Sequence, residues 1–196
     1  MRFTKLLFGT DCLVFTRKNY TIMKRTFKSL FIAFASIFGL TACAETPPSP
    51  DVIRNFELNK YLGTWYEIAR FDHSFERGLS NVTANYSLRP DGKVKVVNRG
   101  FKTKSNTWSE SVGKAKFAGS KSIGSLKVSF FGPFYGAYNI VKLDENYQYA
   151  LIISNGFDYM WLLSRTKTMP EDIKQQYLKR ATDLGFDTGK LIWVKQ

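Results

Sequence analysis

The sequence predicts an all-β domain, an eight-stranded antiparallel up-and-down barrel with one C-terminal α-helix packed outside it. From residue 51 onward, short runs of Val, Ile, Tyr, Phe and Trp alternate with turn residues at even spacing, which is typical of antiparallel sandwiches and barrels. There are eight such runs, the number of strands in a small closed barrel. The chain is 44% hydrophobic and 16% aromatic, which excludes disordered and coiled-coil proteins.

The first 42 residues have the features of a secretory leader. A basic start at Met23 is followed by an apolar stretch over residues 30–40 and by the small residues Thr41 and Ala42. The apolar stretch is shorter than the roughly 20 residues that a membrane-spanning helix needs. We therefore expect residues 23–42 to be a signal peptide and residues 1–22 to be an upstream extension, with synthesis starting at Met23.

The leader ends in Leu40-Thr41-Ala42-Cys43, which resembles the lipobox of bacterial lipoproteins. This resemblance implies that Cys43 is acylated and becomes the mature N-terminus. The next residue is Ala44 rather than Asp, which favours the outer membrane of a Gram-negative bacterium, and we expect the periplasmic face. Residues 43–54 are predicted to form a tether, in which the polar and proline-rich residues 44–51 span roughly 25 Å at about 3.1 Å per residue. Residues 55–196 are then the barrel.

The strands are placed where β-branched and aromatic residues cluster between turn signals. The clearest turn is Arg89-Pro90-Asp91-Gly92, which predicts a hairpin between the second and third strands. The predicted strands are 65–71, 82–88, 94–100, 107–117, 126–131, 137–143, 149–154 and 159–165.

One helix follows the eighth strand. Thr168 with Glu171 forms a predicted capping box, Pro170 falls in the first turn, and Gly185 ends the helix in a left-handed conformation. The apolar face is narrow, so the helix is expected to pack on the outside of the barrel. That face consists of Ile173, Tyr177, Leu178, Ala181 and Leu184. A short last strand is predicted over residues 191–194.

Several segments resemble the lipocalin family. Gly63-Thr64-Trp65 resembles the Gly-x-Trp signature that opens the first lipocalin strand, and Arg165 matches the arginine of the last strand. The resemblance implies that Arg165 lies across Trp65 at the closed end of the barrel, a cation–π contact. Residues 71–78, 128–136 and 192–194 are similar to the bacterial outer-membrane lipoprotein branch, which also resembles apolipoprotein D.

Alternation along the strands selects candidate ligand-contacting residues. If Trp65 and Arg165 face inward, then Glu67, Ala69 and Trp161 do so too, whereas Met160 and Leu162 face the helix. Asn85 and Asn98 are polar residues within strands, where Asn is depleted, and with Glu67 they are candidates to meet a polar ligand group. A hydrogen-bond network that satisfies only itself is the alternative. A buried Glu67 needs either a neighbouring cation or a protonated carboxyl.

The segment 130–138 is aromatic and is bent by Gly132, Pro133 and Gly136. Its aromatic residues Phe131, Phe134, Tyr135 and Tyr138 are candidates to line a lipid entrance. Tyr135 and Trp161 are favoured, because each ring combines a broad apolar face with a polar tip. Hydrophobic core under a loop, or a homodimer face, are the alternatives.

The sequence offers little for catalysis or nucleic-acid binding. The one histidine, His73, lies in a loop, no cluster has metal-ligand spacing, and Ser111-Val112-Gly113-Lys114 lacks the companion motifs of a serine nucleophile. Seven of the 29 basic residues and one of the 16 acidic residues precede Cys43, which leaves a net charge of +7 without a concentrated basic motif. We expect no cofactor, no metal and no nucleic acid.

The function predicted from these observations is that of an outer-membrane lipocalin, anchored by Cys43, that binds, stores or transports a fatty acid or lysophospholipid. It is not expected to be an enzyme. Two alternatives stay open: an envelope enzyme acting on lipid or peroxide, and a structural lipoprotein whose barrel is filled by its own side chains.

Overall fold

The computed structural model describes residues 51–196. The predicted signal peptide, the upstream extension, Cys43 and most of the tether lie outside the described residues. The elements are a short helix α1 (Leu58–Tyr61), strands β1 (Gly63–Arg70), β2 (Leu79–Leu88), β3 (Val94–Lys102), β4 (Thr107–Phe117), β5 (Ser125–Ser129), β6 (Gly136–Leu143), β7 (Tyr149–Ile153) and β8 (Met160–Ser164), helix α2 (Glu171–Asp183), a 3₁₀ turn (Thr188–Lys190) and strand β9 (Ile192–Trp193). Within residues 51–196, no helix is long and apolar enough to span a membrane.

The eight predicted strands form one closed antiparallel barrel. Each strand pairs with the next along the chain, and β1 pairs with both β8 and β2, which closes the sheet. The β9 strand is extra and pairs with β1 at Ala69 and Arg70. The side-chain amide of Gln196 donates to the carbonyls of Glu67 and Val82, so the C-terminus bridges β1 and β2 where those two strands diverge. The predicted fold class is confirmed.

Alternation divides the buried side chains into an interior and an outer layer. The interior cluster includes Trp65, Val96, Ile140, Ile152 and Leu163. The outer cluster lies between the sheet and α2, and it contains Met160, Leu162 and Tyr177 as the sequence predicts. The regular alternation fails in β1, where the pairing with β8 shifts between Glu67 and Ala69. This bulge places Ala69 in the outer layer and Arg70 inside.

Helix α2 covers the outer layer, as its narrow apolar face predicts. Tyr177 and Ala181 are buried, and the Tyr177 hydroxyl donates to the carbonyl of Tyr149. The predicted capping box is wrong. The helix begins at Glu171 after Pro170 with no side-chain cap, and the carbonyl of Thr168 instead accepts hydrogen bonds from hydroxyls of the preceding turn. Gly185 has φ +89°, the left-handed end that was predicted.

Candidate ligand-binding site

One end of the barrel is closed by Trp65 and Arg165. The guanidinium carbon of Arg165 lies 4.0 Å from the Trp65 ring centroid, which confirms the predicted cation–π contact. The same guanidinium donates to the carbonyls of Lys60, Leu62, Thr64 and Tyr147, so it joins α1, β1 and the β6–β7 turn. Gly63 has φ +95°, a conformation that favours glycine, and the Arg165 side chain lies against it. This end of the barrel therefore offers no entrance for a ligand.

Three tyrosine hydroxyls meet inside the barrel. Tyr138 lies 2.7 Å from Tyr61 and 2.9 Å from Tyr86, measured between hydroxyl oxygens. Burial raises the pKa of all three groups, so they are neutral phenols at physiological pH. Three hydroxyl protons make two mutual hydrogen bonds, and no other acceptor among the described residues is bonded to them. One proton therefore remains to be donated.

A charged cluster lies in the interior toward the opposite, open end. Arg70 donates to Glu67 Oε1 over 2.6 Å and to the carbonyl of Glu76 over 2.6 Å. Glu76 lies on the β1–β2 loop, residues 71–78. Its Oε2 accepts a hydrogen bond from the indole of Trp161 over 3.2 Å and lies 2.9 Å from Nε2 of His73. All of these residues except Trp161 are buried, and Trp161 is half-buried.

The two carboxyl groups of this cluster differ in their pKa. Burial and the nearby Glu76 carboxylate raise the pKa of Glu67 well above its ordinary value, against the opposing effect of Arg70. Burial also raises the pKa of Glu76, but hydrogen bonding and charge from His73, with Trp161 and Arg70, outweigh it and lower the pKa overall. Two carboxyls share one buried arginine, so their protonation is coupled, and Glu67 is the more readily protonated of the two.

Four of the predicted ligand-contacting residues face the interior. Glu67 joins the charged cluster, Tyr138 is the central hydroxyl of the tyrosine group, and Trp161 packs against the interior cluster. Asn98 follows Val94 and Val96 on the inward face of β3, and its side-chain oxygen is buried without a hydrogen-bond partner. The structure therefore brings these four residues into one interior.

Three predicted residues do not face the interior. Ala69 lies in the outer layer because of the β1 bulge, so its prediction is wrong. Asn85 is exposed and donates to the Thr64 hydroxyl on the outer face, since the inward positions of β2 belong to Ala84 and Tyr86. Tyr135 lies outside the barrel, 5.0 Å from the ammonium of Lys116 on the outward face of β4.

Sequence patterns did not predict that Arg70, Glu76 and His73 belong to the site. Strand alternation predicts that the Arg70 side chain faces outward. Glu76 and His73 lie in a loop, where alternation does not predict the direction of a side chain. One signal was available, because a buried Glu67 requires a neighbouring cation or a proton. The structure supplies the cation, which is Arg70.

Comparison with known proteins gives strong sequence similarity. The Lipocalin-like domain family matches residues 56–196. The chain is 53% identical over 166 residues to the outer membrane lipoprotein Blc of Citrobacter freundii, covering 84% of this chain and 94% of that protein. It is 52% identical to the Escherichia coli K12 protein of the same name, covering 85% and 96%, and 33% identical to apolipoprotein D of Cavia porcellus, covering 85% and 95%.

The fold is also similar to solved structures at low sequence identity. Insecticyanin from the tobacco hornworm Manduca sexta superposes with a TM-score of 0.62 at 18% identity, covering 74% of this chain and 83% of that one. Lobster apocrustacyanin A1 gives a TM-score of 0.58 at 18% identity, covering 70% and 78%. These likenesses support the architecture of the barrel.

Proposed function

The chain belongs to the lipocalin family, and from that membership and the polarity of its barrel interior we propose that it binds, stores or transports a single-tailed lipid, a fatty acid or a lysophospholipid. The observation that carries the proposal is the gradient of polarity along the barrel. Trp65 at the closed end packs against the ring of Tyr61 and other uncharged side chains, whereas the charged pair of Glu67 and Arg70 lies closer to the open end. An amphiphile with one tail matches such a gradient.

The polar groups of the interior suggest how the lipid is held. The spare proton of the tyrosine group is available to an ester carbonyl or carboxylate oxygen of the lipid. The buried oxygen of Asn98 accepts from a hydroxyl, such as the one on a lysophospholipid glycerol. Trp161 lies on the open-end side of Leu163, where an acyl tail would pass it on entry.

We further propose that Cys43 is acylated and anchors the domain at the periplasmic face of the outer membrane. The lipobox at residues 40–43 supports this, as does the similarity to bacterial outer membrane lipoproteins. Several acyl chains give durable anchoring, whereas one chain binds only marginally.

Calorimetric titration tests lipid binding. Every strand and both apolar clusters lie within residues 51–196, so a chain begun at Asp51 retains them. We expect lysophospholipid and fatty acid, each below its micelle concentration, to saturate at one ligand per barrel. Trp161→Ala should weaken binding at least tenfold. Trp108→Ala, which removes an exposed tryptophan stacked on Arg99 outside the barrel, should not change it.

Two other results would overturn the proposal. A folded, lipid-free protein that binds neither ligand would indicate a barrel filled by its own side chains. Release of hydrolysed or oxidised lipid during the titration would indicate an envelope enzyme.

A further inference from the structure

Four phenylalanine side chains project into solvent from three loops. Phe75 is 66% exposed on the β1–β2 loop, Phe131 and Phe134 are 73% and 77% exposed on the β5–β6 loop, and Phe157 is 62% exposed on the β7–β8 loop. We call these the open-end phenylalanines. Four exposed phenylalanines on loops call for an explanation, whereas a single one would need none.

The barrel topology places all three loops at the same end. In an up-and-down barrel, the connections β1–β2, β3–β4, β5–β6 and β7–β8 share one end, and Arg165 closes the other. Two ring contacts agree with this placement. Phe75 stacks on Tyr159 of the β7–β8 loop with centroids 6.2 Å apart, and Phe157 contacts Phe186 beyond the C-terminal end of α2.

The exposed charges at this end have a small basic excess, with Lys102 and Lys104 on the β3–β4 turn against Asp158 on the β7–β8 loop. The β3–β4 turn carries the exposed residues Lys102 and Lys104 and no acidic residue over positions 102–107. On the neighbouring β1–β2 loop, Arg77 and Asp72 pair at 2.7 Å and offset each other. Basic side chains that flank exposed aromatic rings attract anionic lipid headgroups.

The start of the described chain lies on the side of the barrel, from which a tether of sufficient length reaches the open end. Asp51 pairs with Arg180 in the last turn of α2, Ile53 donates to the carbonyl of Ile140 on β6, and Arg54 pairs with Ile123 at the closed end. Eight positions separate Asp51 from Cys43, a reach of roughly 25 Å for an extended chain. This step rests on the proposed acylation of Cys43.

We propose that the open end of the barrel is a membrane-docking surface, with the open-end phenylalanines inserted among the headgroups of an anionic phospholipid bilayer. In this orientation the barrel mouth faces the bilayer, so a lipid passes between membrane and interior without crossing bulk water. The β1–β2 loop, which carries both Phe75 and the buried Glu76, then joins the docking surface to the charged cluster.

Position-specific labelling tests this orientation. The processed full-length lipoprotein is reconstituted into vesicles of phosphatidylethanolamine and phosphatidylglycerol at 7:3, with an environment-sensitive NBD dye attached to Phe134→Cys. Leu88→Cys is the matched control, because Leu88 is 55% exposed at the closed end of β2. We expect doxyl-labelled lipids to quench the dye at position 134 at least threefold more than at position 88, with a blue shift only at position 134.

The remaining outcomes separate the alternatives. Quenching of the dye at position 134 should fall when Phe131→Ser is added. It should also fall when Lys102→Glu and Lys104→Glu are added together. Equal quenching at both positions, or stronger quenching at position 88, overturns the proposal. The dye at position 134 could instead show a blue shift that is not accompanied by doxyl quenching and that fades as the protein-to-lipid ratio falls. That result would overturn membrane docking and assign the surface to a second copy of the chain. Dye bound to the parent, which has no introduced cysteine, would show a free Cys43 thiol and contradict the proposed acylation, whereas the ratio of quenching at positions 134 and 88 decides docking.

Discussion

Arg70 and Glu67 are three residues apart on one strand, yet their side chains meet inside the barrel, with Nη1 of Arg70 2.6 Å from Oε1 of Glu67. Residues at this spacing lie on opposite faces of a regular strand. The bulge between Glu67 and Ala69 adds one residue and turns Arg70 inward. One irregularity in β1 therefore creates the charged interior of the barrel.

Replacing Glu67 tests the protonation of this cluster. The pKa of Glu67 is raised in the folded state, so its stabilising effect is fully present below about pH 4.5 and is lost as pH rises toward the raised pKa. In that window the free energy of unfolding of the parent should fall by up to about 1.4 kcal/mol per pH unit from this group. Glu67→Gln, which resembles the protonated carboxyl, should remove this contribution to the slope in urea titrations at a series of pH values.

The matched control is Glu57→Gln, which alters an exposed carboxylate paired with Lys60. The free energy of unfolding of this variant should depend on pH as that of the parent does. A Glu67→Gln protein whose slope above pH 4.5 equals that of the parent would contradict a protonated Glu67.

The barrel could be predicted from the sequence because its strands follow local patterns. Each of the eight strands overlaps its predicted range, with ends that differ by no more than three residues. Trp65 and Arg165 were also paired correctly, through their place in the family signature. Propensity and turn chemistry act over a few residues, so they can be recognised without knowing the tertiary structure.

The interior was harder to predict because it depends on backbone irregularity and on loops. Alternation correctly placed Trp161 and Glu67, but it failed after the bulge, so Ala69 and Arg70 exchange faces. A bulge leaves no reliable mark in the residue types. Tyr135 was misplaced for a related reason, because the loop before β6 folds over the outer face of β4.

Arg165→Lys should strongly destabilise the closed end. Lysine keeps the charge but lacks the planar group that stacks on Trp65 and donates to four carbonyls, so we expect a loss of about 2–4 kcal/mol in urea unfolding. Arg99→Lys is the control. Its guanidinium lies 4.1 Å from the exposed Trp108 ring, and the change should cost less than about 1 kcal/mol. Equal losses would mean that the carbonyl contacts of Arg165 contribute little.

Gly113→Ala should destabilise the junction of β4 and β5. A Cβ at this position would lie 2.8 Å from the carbonyl oxygen of Ser129 and 2.8 Å from the ring of Phe130, so backbone must move. We expect a cost of about 1–3 kcal/mol, measured by thermal unfolding. Gly119→Ala meets no atom within 4 Å and should change stability by less than about 0.5 kcal/mol. If Gly113→Ala left the stability unchanged, β4 and β5 would be able to move apart at this position without cost.

Asn98→Ala should separate the two proposed ligands. The buried side-chain oxygen of Asn98 accepts no hydrogen bond from the protein, so its removal should leave the empty barrel as stable as the parent. A lysophospholipid hydroxyl that donates to this oxygen loses one hydrogen bond in the variant, and its affinity should fall about five- to tenfold in calorimetry. A fatty acid carries no such hydroxyl, and its affinity should not change.

Asn85→Ala is the matched control, because Asn85 lies on the neighbouring strand but bonds to Thr64 on the outer face. It should bind both lipids as the parent does. If Asn98→Ala weakens fatty acid and lysophospholipid equally, the residue shapes the interior rather than reading a hydroxyl, because a loss of packing affects every tail alike. If it weakens neither, the headgroup lies beyond Asn98, closer to Arg70 and the open end.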